Sequence, residues 1–126
     1  MIVADASAVV ELLVGDSKKV AARFVSNPVY APAHVDFEVA KVIRRLHLSG
    51  KLDEHRSSAA IQDLARLPIA RIPLADLLPR VWQLRCNAYP GDAFYLALAE
   101  DLACPLVTAD AKLSATPGHH ASIVTI

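Results

Sequence analysis

The stretch MIVADASA, Met1 to Ala8, decides how the rest of the chain is read. Ile2-Val3-Ala4 is a short apolar run of the kind that forms a buried strand. It stops at Asp5, and Ser7 follows two residues later with helix-forming residues behind it. An acid that closes a buried strand just ahead of a helix lies in the crevice beyond the strand carboxyl ends, where open α/β sheets place their ligands. What matters next is whether other acids converge on that crevice.

Outward from Asp5, Ala8 to Val14 are apolar except Glu11, and Gly15 ends them as a helix C-cap. Asp16-Ser17 offers an N-cap for a second helix through Val20, Phe24 and Val25, which Asn27-Pro28 breaks. Val29-Tyr30-Ala31 reads as a strand. Pro32 to Ser49 is the strongest helix, with Val35, Val39, Val42 and Leu46 on one stripe and Gly50 as its stop. At about 100° per residue, Glu38, Lys41 and Arg45 fall on the shoulder of that stripe and Arg44 points outward. A further helix spans Asp53 to Arg66, with Ala60, Ile61, Leu64 and Leu67 as its apolar side. Leu67 to Ile72 is a strand, and Ala75 to Cys86 is helical, with Pro79 tolerated near its first turn. Asn87 to Gly91 is a loop. Asp92 then opens a helix, Ala93 to Leu102, whose apolar character on nearly every side requires burial. Pro105-Leu106-Val107 is a second buried strand, ending at Thr108-Ala109-Asp110. Lys112 to Ala115 makes a helical turn, and Ser122 to Ile126 is the last strand. This alternation implies parallel βαβ units: one α/β domain over residues 1–126, a three-layer α/β/α sandwich with a mostly parallel central sheet.

Composition narrows the function classes. Hydrophobic residues make up 54% of the 126, which excludes a disordered chain and suffices for a full core. Lys+Arg and Asp+Glu number 13 each, so there is no global attraction to nucleic acid, and any basic patch is local. Cys86 and Cys104 lack metal-type spacing and read as free, buried thiols. There is no basic n-region with an apolar h-region and no run long enough to span a bilayer. The expectation is a soluble cytoplasmic protein.

Four acids stand out by position. Asp5 and Asp110 close buried strands, Asp92 opens a buried helix, and Glu38 edges a buried stripe. Carboxylates brought together repel one another and raise each other's pKa, a penalty that a divalent cation removes. A site of oxygen donors without His or Cys suits Mg²⁺, with Mn²⁺ as an alternative. Two such ions about 4 Å apart can clamp the attacking water and the leaving oxygen of a phosphodiester. Each acid also has a plainer reading. Asp5 and Asp92 serve as N-caps, Asp110 as a turn residue, and Glu38 as the partner of Lys41 or Arg45 on its own helix.

Taken in order, MIVADASAVVELL, APAHVDFEVAKVIRRL, GDAFYLALAE and PLVTADAKL resemble the successive blocks of a PIN domain. The closest likeness is to the bacterial VapC ribonuclease toxins of type II toxin–antitoxin systems. The resemblance covers Asp5 to Leu113. It implies that Asp5, Glu38, Asp92 and Asp110 form the catalytic tetrad, with Asp5, Asp92 and Asp110 holding the metal. Ser7 and Thr108 match the family's supporting hydroxyls. Three positions depart from the pattern. Lys41 stands where the family often has Asn. Tyr89 is separated from Asp92 by Pro90-Gly91, where the family often has an aromatic directly before the acid. Lys112 stands where some relatives carry a further acid. With Lys112 in place of that acid, the expectation is one tightly held ion and a second recruited by RNA.

The resemblance further implies a Mg²⁺-dependent endoribonuclease that cleaves a transfer RNA or ribosomal RNA. It also implies a homodimer held inactive by a VapB-like antitoxin in a heterotetramer or larger complex. The segment from Lys41 to Lys51 is the strongest local basic signal, and Lys41 and Arg45 are the residues placed to meet an RNA backbone. His119-His120 reads as an exposed turn rather than a metal site. His34 and His55 read as helix starts, and Trp82 as core or interface. Two other readings stand beside the toxin: a PIN fold that binds RNA or protein without cleaving, and a receiver-type signalling domain. The last needs an acid pair after the first strand, where Met1 to Asp5 offers one acid.

Overall fold

The computed structural model describes all 126 residues. Five strands form one parallel sheet in the order β3-β2-β1-β4-β5. They are β1 (Ile2–Ala4), β2 (Val29–Pro32), β3 (Ile69–Ile72), β4 (Leu106–Thr108) and β5 (Ile123–Thr125). Every pairing is parallel, so the expectation of a mostly parallel sheet is met in full. Six helices cover it: α1 (Ala6–Val14), α2 (Lys18–Ser26), α3 (Val35–Leu48), α4 (Glu54–Arg66), α5 (Leu78–Gln83) and α6 (Pro90–Leu102). Helices α1 to α4 pack on one another, and α5 packs on α6, giving the three-layer α/β/α sandwich. No helix is long and apolar enough to cross a membrane.

Local chemistry sets the boundaries. Asp5 caps α1 by accepting from the Ala8 amide at 3.0 Å, and Ser17 caps α2 through the Val20 amide at 3.3 Å. Asp53 caps α4 through the Arg56 amide at 2.8 Å. Gly50, at φ +80°, takes the left-handed conformation that ends α3. Pro79 breaks the expected helix 75–86 into a 3₁₀ turn, Ala75–Leu77, and the short α5, because its ring removes a donor from the first turn. Helix α6 is buried on every side from Ala93 to Ala99, as its sequence demands.

Several expectations about side chains need correction. The core stripe of α3 is Val35, Val39 and Ile43, with Val42 and Leu46 only partly buried. A spacing of four drifts around the helix and carries Ile43, not Val42, into the core. On α4 the buried positions are Ser57, Ala60 and Leu64, and Ile61 is exposed one residue round from Ala60. Trp82 is 68% exposed, so it belongs to no core within this chain. Cys104 is buried, but Cys86 lies exposed just beyond α5. Asp92 is not an N-cap. Tyr89 holds that position and Pro90 starts the helix, which leaves Asp92 inside the first turn.

Candidate active site

The chain runs from β1 outward to β3, then returns to β4 beside β1 and proceeds to β5 on the other side. The strand order therefore reverses between β1 and β4, and a crevice opens there beyond their carboxyl ends. Asp5 directly follows β1. Thr108 ends β4, and Asp110 comes two residues later. Glu38 lies in the first turn of α3, which leaves the carboxyl end of β2, and Asp92 lies in the first turn of α6. Helix N-termini favour negative charge, so both acids stand where the backbone dipoles support them.

Asp5 is 6% exposed and fully engaged. Its Oδ1 accepts from the Ser7 hydroxyl at 2.6 Å and the Ala8 amide at 3.0 Å, and its Oδ2 accepts from the Thr108 hydroxyl at 2.5 Å. Each hydroxyl has one proton, and both are given to Asp5. In return Ser7 accepts from the Ala109 amide and Thr108 from the Asp110 amide, each at 2.9 Å. The two hydroxyls thus tie the end of β1 to the turn after β4. Burial pushes the Asp5 carboxyl above the ordinary aspartate range. The Ser7, Thr108 and Ala8 hydrogen bonds pull it back, and the charge of Asp110 adds to the rise.

Glu38 does not pair with Lys41 or Arg45. Its Oε1 accepts from the Tyr95 hydroxyl at 2.7 Å and lies 3.4 Å from His34 Nε2. That nitrogen also contacts the Gly91 carbonyl at 3.0 Å. A carbonyl only accepts, so Nε2 carries the proton, and Nδ1 remains buried without a partner. The His34 ring packs at 5.2 Å on Phe94 and 4.8 Å on Tyr95. Burial and the contact with Glu38 hold the Tyr95 hydroxyl far above its usual range, so it acts as a fixed donor. Gly91 permits the close approach of α6, since a Cβ there would lie 2.9 Å from Glu38 Oε2.

Asp92 is exposed, yet its carboxyl is raised above the ordinary range. Partial loss of hydration comes first among the causes, followed by the charges of Glu38, Asp110 and Asp5, with His34 opposing them. Because the side chain meets solvent, its like-charge neighbours are the more telling cause. Asp110 is exposed and its Oδ1 accepts from the Lys112 amide at 2.9 Å, which closes a turn. Lys41 and Arg45 are exposed on α3, and Lys41 Nζ sits 5.7 Å from the centre of the Phe37 ring. His119 and His120 lie in the turn after Gly118, where the His120 amide binds Glu100.

The four acids therefore share one electrostatic neighbourhood. No three of the chain's His, Cys, Asp and Glu side chains, however, stand close enough to grip one ion directly. The donor set is all oxygen and short of positive charge. It fits a hard divalent cation that keeps several waters and takes only one or two carboxylates directly, as Mg²⁺ does. Sequence reasoning missed Tyr95 and the contact of His34 with Glu38. The signals available were the i, i+4 spacing of His34 and Glu38 and the place of Tyr95 three residues after Asp92.

Comparison with known proteins gives the same fold and a family. The PIN domain family model matches residues 2–118. Ribonuclease VapC12 from Mycobacterium tuberculosis is 39% identical over 125 residues, covering 98% of this chain and 97% of that protein. Ribonuclease VapC9 from the same organism is 41% identical over 118 residues, covering 92% and 91%. The crystal structure of VapBC2 from Rickettsia felis, bound to a DNA fragment from its promoter, superposes with a TM-score of 0.71 at 16% identity, covering 100% of this chain and 99% of that one.

Proposed function

Because the chain belongs to the PIN-domain family and, within it, to the VapC ribonucleases, we propose that it is a Mg²⁺-dependent endoribonuclease and the toxin of a toxin–antitoxin pair. The observation that carries this reading is Asp5, a buried carboxylate at the strand-order reversal. Two hydroxyls fix it, and it lies in the field of Asp92 and Asp110. Asp5, Asp92 and Asp110 would hold the cation, Mg²⁺ or Mn²⁺, no more than two of them directly and the rest through its waters. When bound, it supplies charge stabilisation at the phosphodiester and lowers the pKa of water. Asp5 is the rigid member of the set and gives the site its position. Asp110 and Asp92 approach from the solvent side. Glu38 stands outside the metal set, oriented by Tyr95, and takes the proton of the attacking water at a carboxylate oxygen. Tyr95 does not compete as an acid, since its hydroxyl proton is held on Glu38.

Lys41 and Arg45 contact the RNA backbone along α3 as local positive charge on a chain of no net charge. The substrate is a structured RNA, a transfer RNA or a ribosomal RNA loop. A VapB-like antitoxin covers the acids, with an Arg suited to pairing among them, and the toxin is a homodimer in that complex. Induced expression tests the reading. The intact chain arrests growth and produces new RNA ends at a defined position, Asp5→Asn does neither, and co-expression of the neighbouring small gene relieves the arrest. Growth arrest by Asp5→Asn equal to that of the intact chain would overturn it.

A further inference from the structure

A second groove, of about 410 Å³, adjoins the acids and is lined by Arg85, Asn87, Tyr89, Asp92 and Thr116. Its volume falls within the range of about 300–1,000 Å³ typical of small-ligand clefts. Asp92 is shared between it and the acid cluster, so whatever fills the groove lies beside the reacting phosphodiester. Tyr89 is 84% exposed at the start of α6. Its backbone has a local duty, since its carbonyl accepts from the Ala93 amide at 2.9 Å, but its ring packs on no other aromatic ring. The groove is also lined by Arg85, whose guanidinium lies 4.9 Å from the centre of the exposed Trp82 ring and donates to the Trp82 carbonyl at 2.9 Å. The Arg85 fork has five donors, so others remain free for a phosphate. Asn87 offers both a donor and an acceptor. A Cβ on Gly118, at φ +88°, would lie 2.8 Å from Asn87 Nδ2, so the bare glycine lets the 116–118 turn close against that amide.

An unpartnered aromatic ring, a cation held on an aromatic face and an amide able to read a base edge make a combination suited to single-stranded nucleic acid. We propose that this groove is a nucleobase subsite for the nucleotide next to the cleaved bond. Tyr89 stacks on the base, Asn87 reads its edge, and Arg85 neutralises the flanking phosphate. The subsite rests on the endoribonuclease reading of the acids.

Binding tests it without relying on cleavage. The probe is fluorescein-labelled single-stranded RNA of randomised sequence, followed by anisotropy in EDTA, with molecular mass followed by light scattering. Tyr89→Ala weakens binding about tenfold, as loss of one stacked base does, while Tyr89→Phe stays within about twofold of the intact chain. Asn87→Ala changes the base found beside the bond in mapped RNA ends. Unchanged affinity in Tyr89→Ala, or equal losses in Tyr89→Ala and Tyr89→Phe, overturns the subsite. A drop in molecular mass in Tyr89→Ala also overturns it and assigns this face to a second copy of the chain. An intact chain that cleaves RNA while Tyr89→Ala binds normally removes the subsite alone. An intact chain that binds no RNA here removes the subsite, and removes both readings if it also cleaves no RNA in Mg²⁺.

Discussion

Asp5 explains why a buried carboxylate survives at the end of a strand. Stripped of donors, it would cost several kcal/mol; here three donors meet it, two of them hydroxyls that lie closer to its oxygens than to each other. Thr108→Val keeps the shape and removes one donor. It should destabilise the fold by about 1–3 kcal/mol, since the buried oxygen is left short of a partner, and chemical denaturation checks this. At this scale the sequence was partly readable. Asp5 and Asp110 stand out because a buried strand that ends in an acid has few structural explanations. Tyr95 does not stand out, because an apolar helix makes every position look like core. Only the fold brings its hydroxyl to Glu38 across 57 residues of sequence. The cap and turn readings of Asp5 and Asp110 are also realised, so for those two residues the plain role and the candidate role coexist.

Two helix starts make up the other half of the site. The first turns of α3 and α6 meet where His34 touches the Gly91 carbonyl and Gly91 lies under Glu38. Gly91→Ala places a methyl group where the Glu38 carboxylate stands. Alanine suits a helix better than glycine, so thermal stability should hold while kcat falls at least about tenfold, because misplaced catalytic groups are costly. A kcat unchanged in a stable variant would show that Glu38 need not sit there. On the exposed side of α3, Arg45→Ala should weaken RNA binding for all sequences and flatten its salt dependence, read from affinity against salt concentration. Element positions were readable because caps and breakers are local: Ser17, Asp53, Gly50 and Asn27-Pro28 each act within a few residues. The faces were less readable. Which side of α4 is buried depends on how it lies against α1 and α3, which no window of its own sequence encodes.

At the scale of the whole molecule, the reversal of strand order between β1 and β4 gathers acids from four separate elements into one crevice. Such gathering carries a measurable cost. The Asp5 and Asp92 carboxyls are raised in the folded state, so their favourable contribution is complete below the unfolded value near 3.8 and is lost as pH rises through the raised values. Asp92→Asn removes one titrating charge. Its melting temperature, relative to the intact chain in EDTA, should therefore climb as pH goes from about 4 to 7. Added Mg²⁺ should shrink that gap by stabilising the intact chain, because a cation that binds only the folded state raises its melting temperature. A gap that is flat with pH would mean that the acids do not sense one another. The most direct test of the central claim is the cleavage of RNA by the purified chain across a Mg²⁺ titration, with the chemistry of the product ends determined. Water attack supported by the four acids predicts 5′-phosphate and 3′-hydroxyl ends, no cleavage in EDTA, and a loss of at least about a hundredfold in Asp5→Asn. Cleavage that persists in EDTA, or products ending in 2′,3′-cyclic phosphate, would contradict it.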